Sequence, residues 1–313
     1  MPARTNDIPD QHGRTALITG ANSGIGLEAA RLLASAGARV IMASRNTEKG
    51  EAAAAEIRAS NAGAELDVRK LDLSSLDSVR AFADEIGEQR LDLLINNAGV
   101  MVPPYTKSAD GFELQLATNH LGHFALTGLL LGKLLATPNA RVVTISSTAH
   151  KMGKIDFDDL QRERSYNRWL TYGQSKLANL LFALELDRRL KAAGSDVLSV
   201  AAHPGYSATN LQFAVTPSRI ERLGSAVLNR VYAQSAEQGA LPTLYAATAE
   251  IPSGSFVGPD GFQEMRGEPK IVRPTRAARD PQTALRLWDV SEELTGVRFA
   301  FAGSGAAAVG SGA

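Results

Sequence analysis

Residues 15–26 read TALITGANSGIG, an apolar run that passes directly into a glycine-rich turn, and a helical pattern begins at Gly26. At a strand-to-helix turn of this kind, backbone N–H groups can approach a pyrophosphate closely, and the helix dipole favours its negative charge. The spacing is G-x-x-x-G-x-G, which differs from the G-x-G-x-x-G of the commonest dinucleotide fingerprint. Taken alone, the stretch also fits a tight turn that binds no ligand.

Outward from this turn, short apolar runs alternate with longer Ala-rich helical stretches, which indicates repeated βαβ units. The apolar runs lack inside/outside alternation, as expected of parallel strands covered on both faces. We therefore predict an α/β fold, a single Rossmann-type doubly wound parallel sheet with helices on both faces. The predicted strands are Thr15–Thr19, Arg39–Ala43, Leu66–Leu71, Leu91–Asn96, Arg141–Ser146 and Asp196–Ala201, and the predicted helices are Gly26–Ala36, Glu48–Ser60, Ser75–Gln89, Ala109–Ala136 and Tyr172–Ala193.

The chain is predicted to form one domain over residues 14–300, preceded by an arm at 1–13. Its substrate-binding segment is expected at about 204–297, mostly helical, with a strand at Phe256 and Val257 and a helix over Gln282–Leu294. Residues 301–313 are predicted to be a disordered tail, because from 303 onward only Gly, Ala, Ser and Val occur.

Composition excludes several kinds of protein. The chain has 33 basic and 33 acidic side chains, which argues against a generally basic nucleic-acid binder, and it has no cysteine. The absence of cysteine excludes thiolate nucleophiles and Cys-ligated zinc. No apolar run reaches the roughly 18 to 20 residues of a membrane span, and no signal peptide is evident, so we expect a soluble cytoplasmic protein. No metal is predicted, because the histidines have no partner ligands in a metal-binding pattern: His120, His123, His150 and His203.

Further motifs follow the glycine turn in a defined order. Asn-Asn-Ala-Gly occupies residues 96–99 after the fourth predicted strand, and Tyr-Gly-Gln-Ser-Lys occupies 172–176. Single residues and short runs complete the set: Asp72, Asn119, Ser146-Ser147 and His203-Pro204-Gly205. In this order and at these separations, the motifs resemble those of the short-chain dehydrogenase/reductase family over about residues 13–297.

The resemblance is more specific in four stretches, 43–46, 119–124, 175–179 and an inserted segment at 150–170, which are similar to the retinol-dehydrogenase-like branch of the family. It implies hydride transfer between a nicotinamide dinucleotide and a carbonyl/alcohol pair. The branch uses NADP and often reduces lipophilic aldehydes or ketones. Trp169, Met101, Val102 and Tyr105 are candidates for an apolar pocket, although ordinary packing explains each of them equally well.

Tyr172 and Lys176 are four apart, so on a helix they share one face. Such pairs also occur by chance on many surface helices, and the glycine turn upstream is what makes this one the candidate catalytic pair. A free tyrosine has a pKa of about 10, and a neighbouring ammonium together with an oxidised nicotinamide would favour its phenolate. Lys176 is therefore expected to tune Tyr172. The resemblance implies that Ser147, with Ser146 as the alternative, hydrogen-bonds the substrate oxygen. It also implies that Asn119 bends a helix and holds a water in a proton relay with the lysine.

The end of the second strand bears on the choice of nucleotide. It reads Ala43-Ser44-Arg45-Asn46 and contains no acid, so Arg45 and the Ser44 hydroxyl could meet the 2′-phosphate of NADP. A solvated surface role for Arg45 is the alternative, and NAD is the less favoured cofactor. By resemblance, Asp72 is expected to contact the adenine amino group. Asn97 is expected at the junction of the ribose and the fourth strand. The full predicted cofactor set is Gly20, Asn22, Ser23, Gly24, Ile25, Gly26, Ser44, Arg45, Asp72, Leu73, Asn97, Ala98, Gly99, Tyr172, Lys176, Pro204, Gly205, Ser207 and Thr209.

The sequence also bears on two other kinds of function. A non-catalytic NADP-binding sensor or scaffold usually lacks the Tyr or the Lys, and both are present here. An epimerase or dehydratase normally carries a G-x-x-G-x-x-G turn, which is absent.

The helix over residues 172–190 is apolar nearly all round, which fits either a homodimer through this helix or a monomer whose C-terminal segment covers it.

Overall fold

The computed structural model of the protein describes residues 8–87, 90–206 and 235–301, and its strands form one sheet. The order is β3-β2-β1-β4-β5-β6-β7-β8, with β1 to β7 parallel and β8 antiparallel to β7. The strands are β1 Thr15–Thr19, β2 Arg39–Ser44, β3 Leu66–Lys70, β4 Leu93–Asn96, β5 Arg141–Ile145, β6 Leu198–Ala202, β7 Phe256–Pro259 and β8 Pro269–Ile271. The predicted doubly wound sheet is confirmed.

Helices cover both faces of the sheet. Because side chains alternate along a strand, Ala16 and Ile18 of β1 pack against the helices on one face of the sheet, whereas Leu17 between them packs against those on the other. Both layers are apolar, which explains the continuous apolar strands. The helices are α1 Gly24–Ser35, α2 Thr47–Ser60, α3 Leu76–Glu85, α4 Leu114–Leu116, α5 Gly122–Leu135, α6 Arg168–Ala192, α7 Ala236–Thr248 and α8 Pro281–Thr295.

The prediction of one helix over Ala109–Ala136 is wrong for its first residues, which are not helical. The helical part that follows is interrupted by an irregular segment. Gly111 has a φ of +84°, which few residues other than glycine adopt, and the helical turn begins only at Leu114. The Glu113 carboxylate caps that turn by accepting hydrogen bonds from the backbone N–H groups of Gln115 and Leu116. A π-helical segment, Ala117–Leu121, then separates this short turn from α5.

Two other elements differ from the sequence prediction. Helix α6 begins at Arg168, ahead of Tyr172, because the Asn167 side chain caps the N–H groups of Trp169 and Leu170. Strand β8 was not predicted, since its three residues carry no alternation. Of the predicted terminal segments, residues 1–7 and 302–313 lie outside the described part of the chain.

The C-terminal segment covers the apolar face of α5 and α6. The Trp288 ring of α8 lies 5.1 Å from the ring of Phe124 in α5 and 5.8 Å from that of Phe182 in α6, measured between centroids. Phe299 packs on Trp288 at 4.5 Å. The surface that a helix-bundle dimer would use is therefore occupied by the same chain, as in the monomeric alternative.

Candidate active site

The glycine turn joins β1 to α1 at the carboxyl edge of the sheet, where Gly20 and Gly24 have φ values of +68° and +55°. Ser23 precedes α1 but makes no side-chain hydrogen bond to it. Side chains do cap α2, α3, α6, α7 and α8, at Asn46, Ser75, Asn167, Ser235 and Asp280 respectively. The first-turn amides of α1 therefore stay available to an anion, which fits a dinucleotide pyrophosphate.

Gly26 brings α1 against its neighbours. A Cβ on Gly26 would lie 2.5 Å from Asn97 Nδ2 and 2.5 Å from the Gly20 carbonyl oxygen. A Cβ atom cannot come so close to a nitrogen or an oxygen without a shift of the backbone or side chain. Asn97 Nδ2 donates to the Thr19 carbonyl at 2.8 Å, and Thr19 Oγ1 accepts from the N–H groups of Asn97 and Ala98, each at 2.9 Å. The glycine turn and the loop after β4 are thus held as one unit. Thr19 was not among the predicted site residues.

At the end of β2, the two predicted phosphate contacts differ. Ser44 is 2% exposed and its hydroxyl donates to the Asn46 carbonyl at 2.8 Å, so the expected donor is already used within the protein. Arg45 is exposed and makes no hydrogen bond or ion pair with any residue in the described ranges. Arg45 is therefore the uncommitted cation at this strand end.

The predicted adenine contact, Asp72, makes local hydrogen bonds in the turn after β3. Asp72 Oδ1 accepts hydrogen bonds from the Ser74 N–H at 2.9 Å and the Ser74 hydroxyl at 2.6 Å. The neighbouring Leu73 is buried, and its carbonyl lies where a Cβ on Gly122 would be 2.3 Å away. This turn is therefore fixed against α5 while the second carboxylate oxygen of Asp72 makes no bond within the described part of the chain.

Tyr172 and Lys176 lie on α6 with exposed fractions of 7% and 3%. The Tyr172 hydroxyl lies beside the side chain of Ser147, which follows β5. Lys176 Nζ lies 5.8 Å from the centre of the Tyr172 ring and donates to the Ile145 carbonyl at 3.2 Å. Ser146 points elsewhere, since its hydroxyl donates to the Lys176 carbonyl at 2.8 Å. Of the two candidate serines, Ser147 is the one beside Tyr172.

Burial dominates the electrostatics of this pair. It raises the pKa of Tyr172 to about 12, with the neighbouring Ser147 side chain acting in the opposite direction, and it lowers the pKa of Lys176 to about 8. In the chain alone, Lys176 therefore does not bring the tyrosine pKa down as expected. At neutral pH Tyr172 is a protonated phenol beside a predominantly charged ammonium.

Asn119 lies in the π-helical segment, where a bend was expected. Its Oδ1 accepts from the Val100 N–H at 2.7 Å, and its Nδ2 donates to the Val100 carbonyl at 3.0 Å and to Ser175 Oγ at 2.9 Å. A Cβ on Gly99 would lie 3.0 Å from Asn119 Oδ1 and 3.5 Å from Lys176 Nζ. Asn119, Gly99 and Lys176 therefore meet, but the Asn119 side chain is already committed to Val100 and Ser175.

After β6, Gly205 has a φ of +68° and its N–H donates to His203 Nδ1 at 3.3 Å, and the Tyr206 N–H donates to the Met265 carbonyl at 2.8 Å. Pro204 lies between them on the same loop. Two predicted contacts further along this loop, Ser207 and Thr209, lie outside the described residues. The loop begins opposite the end of β5, because the Ser146 N–H donates to the Ala202 carbonyl at 2.8 Å.

The inserted segment joins two groups of pocket candidates. The Tyr166 hydroxyl donates to the Pro103 carbonyl at 2.7 Å and accepts from Gln115 Nε2 at 3.1 Å. This places the segment against the loop that carries Met101, Val102 and Tyr105. Trp169, in the first turn of α6, is 48% exposed, so ordinary core packing does not account for it.

Comparison with known proteins places the chain in a family. A sequence model described as short chain dehydrogenase matches residues 14–219. The chain belongs to this family of oxidoreductases. It is also retinol-dehydrogenase-like: it is 46% identical to Retinol dehydrogenase 12 of Homo sapiens over 298 residues, which cover 92% of this chain and 88% of that protein.

Solved structures give the same fold. An uncharacterized protein from Mycobacterium Paratuberculosis is 47% identical, with a TM-score of 0.81 and coverage of 96% of this chain and 100% of that one. A protein from Beutenbergia cavernae, described as an NAD(P)-dependent gluconate 5-dehydrogenase and solved with bound NADP, is 26% identical. Its TM-score is 0.64, and the match covers 79% of this chain and 95% of that one.

Two kinds of feature are absent from the described ranges, a membrane-spanning helix and a cluster of metal ligands. The helices there include none with the length and apolar content needed to span a bilayer. Nor does any group of three His, Asp or Glu side chains in those ranges converge as metal ligands would. The buried histidines have protein partners: His120 faces Ser291, His150 the Ser147 carbonyl, and His203 the Glu264 carboxylate.

Proposed function

We propose that this protein is an NADP(H)-dependent oxidoreductase that interconverts a lipophilic carbonyl compound and its alcohol, with Tyr172 as general acid/base. One observation carries the proposal: the Tyr172 hydroxyl, Ser147 and Lys176 meet at the sheet edge where the uncapped N-terminus of α1 also lies. In open α/β sheets, ligands bind beyond the carboxyl ends of the strands. Groups for anion binding and for proton transfer therefore share one site.

The bound dinucleotide would supply or accept a hydride at its nicotinamide ring. In the direction of reduction, Tyr172 gives its proton to the substrate oxygen, and its raised pKa means that the proton is present at neutral pH. Ser147 fixes the position of that hydroxyl. The Lys176 ammonium, in the same buried site, stabilises the negative charge that Tyr172 acquires when the proton leaves.

Preference for NADP rests on Arg45. The guanidinium is exposed and has no partner in the described ranges, and no carboxylate ends β2 to repel a 2′-phosphate. A planar guanidinium can bind a phosphate through two parallel hydrogen bonds. Ser44 plays no part in this proposal as a donor, because its hydroxyl is bound to Asn46.

A lipophilic substrate is supported by two half-exposed aromatic side chains, Trp169 in the first turn of α6, three residues before Tyr172, and Tyr105 in the loop after β4. Apolar side chains with solvent-facing area beside a polar catalytic pair are typical of pockets for apolar ligands. Retinol is named only in the relative, Retinol dehydrogenase 12. The substrate class proposed for this chain is lipophilic carbonyl/alcohol pairs.

A panel assay tests the function. The purified protein is incubated with NADPH or NADH and with aldehydes and ketones of increasing chain length, each paired with a short polar carbonyl as control, and absorbance at 340 nm is followed. We expect NADPH oxidation that becomes more efficient with chain length. Equal efficiency with polar carbonyls would contradict the lipophilic pocket, and dinucleotide binding without turnover would favour the sensor alternative.

A further inference from the structure

His123 lies in the first turn of α5, with 1% of its surface exposed. It stands between the end of β1, where the glycine-rich turn begins, and the backbone turn that carries Asn119. Its Nδ1 is 3.0 Å from the backbone carbonyl oxygen of Asn119, and its Nε2 is 2.8 Å from Thr19 Oγ1. We propose that His123 is a positioning residue that holds the Asn119 turn and the dinucleotide-binding turn in a fixed relation. The inference rests on the proposed function, because it concerns how that site is kept in register.

The proton positions in this link follow from the partners. A carbonyl only accepts, so His123 Nδ1 carries the proton and donates to Asn119. Burial lowers the pKa of His123 to about 4, so the ring is neutral at pH 7 and Nε2 is an acceptor. The Thr19 hydroxyl therefore donates to Nε2. Its lone pairs are then free to accept the N–H groups of Asn97 and Ala98.

At its other end the imidazole holds an irregular piece of backbone. Asn119 sits in the π-helical segment, where the Gly122 N–H donates five residues back, to the Ala117 carbonyl, and the regular ladder is interrupted. The Asn119 side chain reaches Val100 and Ser175, and Ser175 precedes Lys176. A continuous series of hydrogen bonds thus runs from the loop after β4, through Thr19 and His123, to the residue beside the catalytic lysine.

Removal of the imidazole would cost two buried groups a hydrogen bond: the Asn119 carbonyl would lose its bond from Nδ1, and the Thr19 hydroxyl would be left only the Ile95 carbonyl, at 3.4 Å, as an acceptor. Buried polar groups retain partners whenever the backbone can move to find them. Either turn would therefore shift, and small displacements of reacting groups reduce rates strongly. The expected defect is one of register, affecting dinucleotide affinity and turnover together.

His120 provides a matched control. It has the same exposed fraction of 1% and lies one turn earlier, but its Nε2 faces Ser291 of α8 at 2.9 Å, away from the site. Replacement of either histidine by leucine removes a buried imidazole and one or two hydrogen bonds. A merely structural role for His123 therefore predicts similar effects for the two variants.

The experiment compares His123→Leu and His123→Gln with His120→Leu and His120→Gln. Dissociation constants for NADPH and NADH are measured by fluorescence titration, kcat and KM with the best carbonyl of the panel, and Tm for each protein. We expect His123→Leu to weaken NADPH binding about tenfold and to lower kcat about 100-fold relative to His120→Leu. A glutamine can donate and accept, so His123→Gln should recover most of both losses.

Equal affinities and kcat values for His123→Leu and His120→Leu, or no recovery in His123→Gln, would overturn the inference. If the unmodified protein binds neither dinucleotide, the proposed function itself fails, which is a separate outcome. Should His123→Leu not fold, nitrogen-15 NMR of the unmodified protein decides. A neutral His123 ring with its proton on Nδ1 at pH 7 supports the assignment, and a proton on Nε2 or a charged ring contradicts it.

Discussion

Lys176 Nζ lies 5.8 Å from the centre of the Tyr172 ring, and both side chains are withdrawn from solvent. Burial raises the pKa of Tyr172 to about 12 and lowers the pKa of Lys176 to about 8. As pH rises, the lysine therefore loses its proton before the tyrosine does. The Lys176 ammonium, whose charge would stabilise a Tyr172 phenolate, is therefore the group of this pair that titrates near neutral pH.

The first prediction concerns this pH dependence. Reduction needs the Lys176 ammonium, which is present below about pH 8 and lost above it. We expect kcat/KM for NADPH, which reports on the free enzyme, to be level up to about pH 7.5 and to decline above pH 8. In Lys176→Arg the residual activity should lack this decline, because a guanidinium stays charged. A level profile from pH 6 to 10 in the unmodified protein would contradict the role given to Lys176.

Tyr172→Phe removes the proton donor while keeping the ring. We expect kcat to fall by a factor of about 100 or more, with the NADPH dissociation constant changed less than threefold. Tyr166→Phe is the control, because burial raises the pKa of Tyr166 to about 12 as well, yet its hydroxyl is bound to Pro103. Residual activity in Tyr172→Phe equal to that of the control would remove Tyr172 from the mechanism.

Arg45→Asp replaces the free cation at the end of β2 by a carboxylate. The preference for NADPH over NADH, as a ratio of kcat/KM values, should fall at least about 30-fold, equivalent to about 2 kcal/mol of lost interaction with the 2′-phosphate. Arg58→Asp makes the same charge change near the far end of α2 and should leave the ratio within about twofold. An unchanged ratio in Arg45→Asp would show that the 2′-phosphate binds elsewhere.

Gly26→Ala tests the close approach of α1 to the loop after β4. The added Cβ would lie 2.5 Å from Asn97 Nδ2 and the Gly20 carbonyl, so the turn must shift and NADPH binding should weaken at least about tenfold. Gly132→Ala in α5 meets nothing within 4 Å and should stabilise the protein by about 0.5–1 kcal/mol. Titration and denaturant unfolding measure the two effects. Unchanged affinity in Gly26→Ala would mean that this contact does not shape the site.

Trp288→Ala tests the cover formed over α5 and α6. Because the indole is buried among Phe124, Phe182 and Phe299, we expect a loss of about 3–5 kcal/mol in the free energy of unfolding. Leu285→Ala, on the exposed side of α8, should cost under about 1 kcal/mol.

Light scattering of the unmodified protein should give a monomer at micromolar concentration. A stable dimer would have to use another surface.

The sequence predicted the elements whose signals are local. The run at 15–26 combined a buried strand, a glycine turn and a helix start, and its strand occurs with the predicted bounds. Tyr172 and Lys176 lie on one helix, as predicted, and residues four apart on a helix share a face. Their roles, the cytoplasmic location and the terminal segments remain predictions.

Features that depend on tertiary contacts were missed or misplaced. The helix start at Leu114 is set by the Glu113 cap and the positive φ of Gly111, neither of which a periodicity shows. The Ser44 hydroxyl looked free because its acceptor, the Asn46 carbonyl, depends on how the loop folds. His123 looked like an ordinary core histidine, since its partner Thr19 lies 104 positions away in the chain.

The most direct test of the central claim is one assay on two proteins. NADPH absorbance at 340 nm is followed with the lipophilic carbonyl panel for the unmodified chain and for Tyr172→Phe, after thermal shifts have established that both bind NADPH. We predict stabilisation of both proteins by NADPH, and turnover of at least one carbonyl by the unmodified chain alone. Stabilisation of both without turnover by either would contradict the assignment as a reductase.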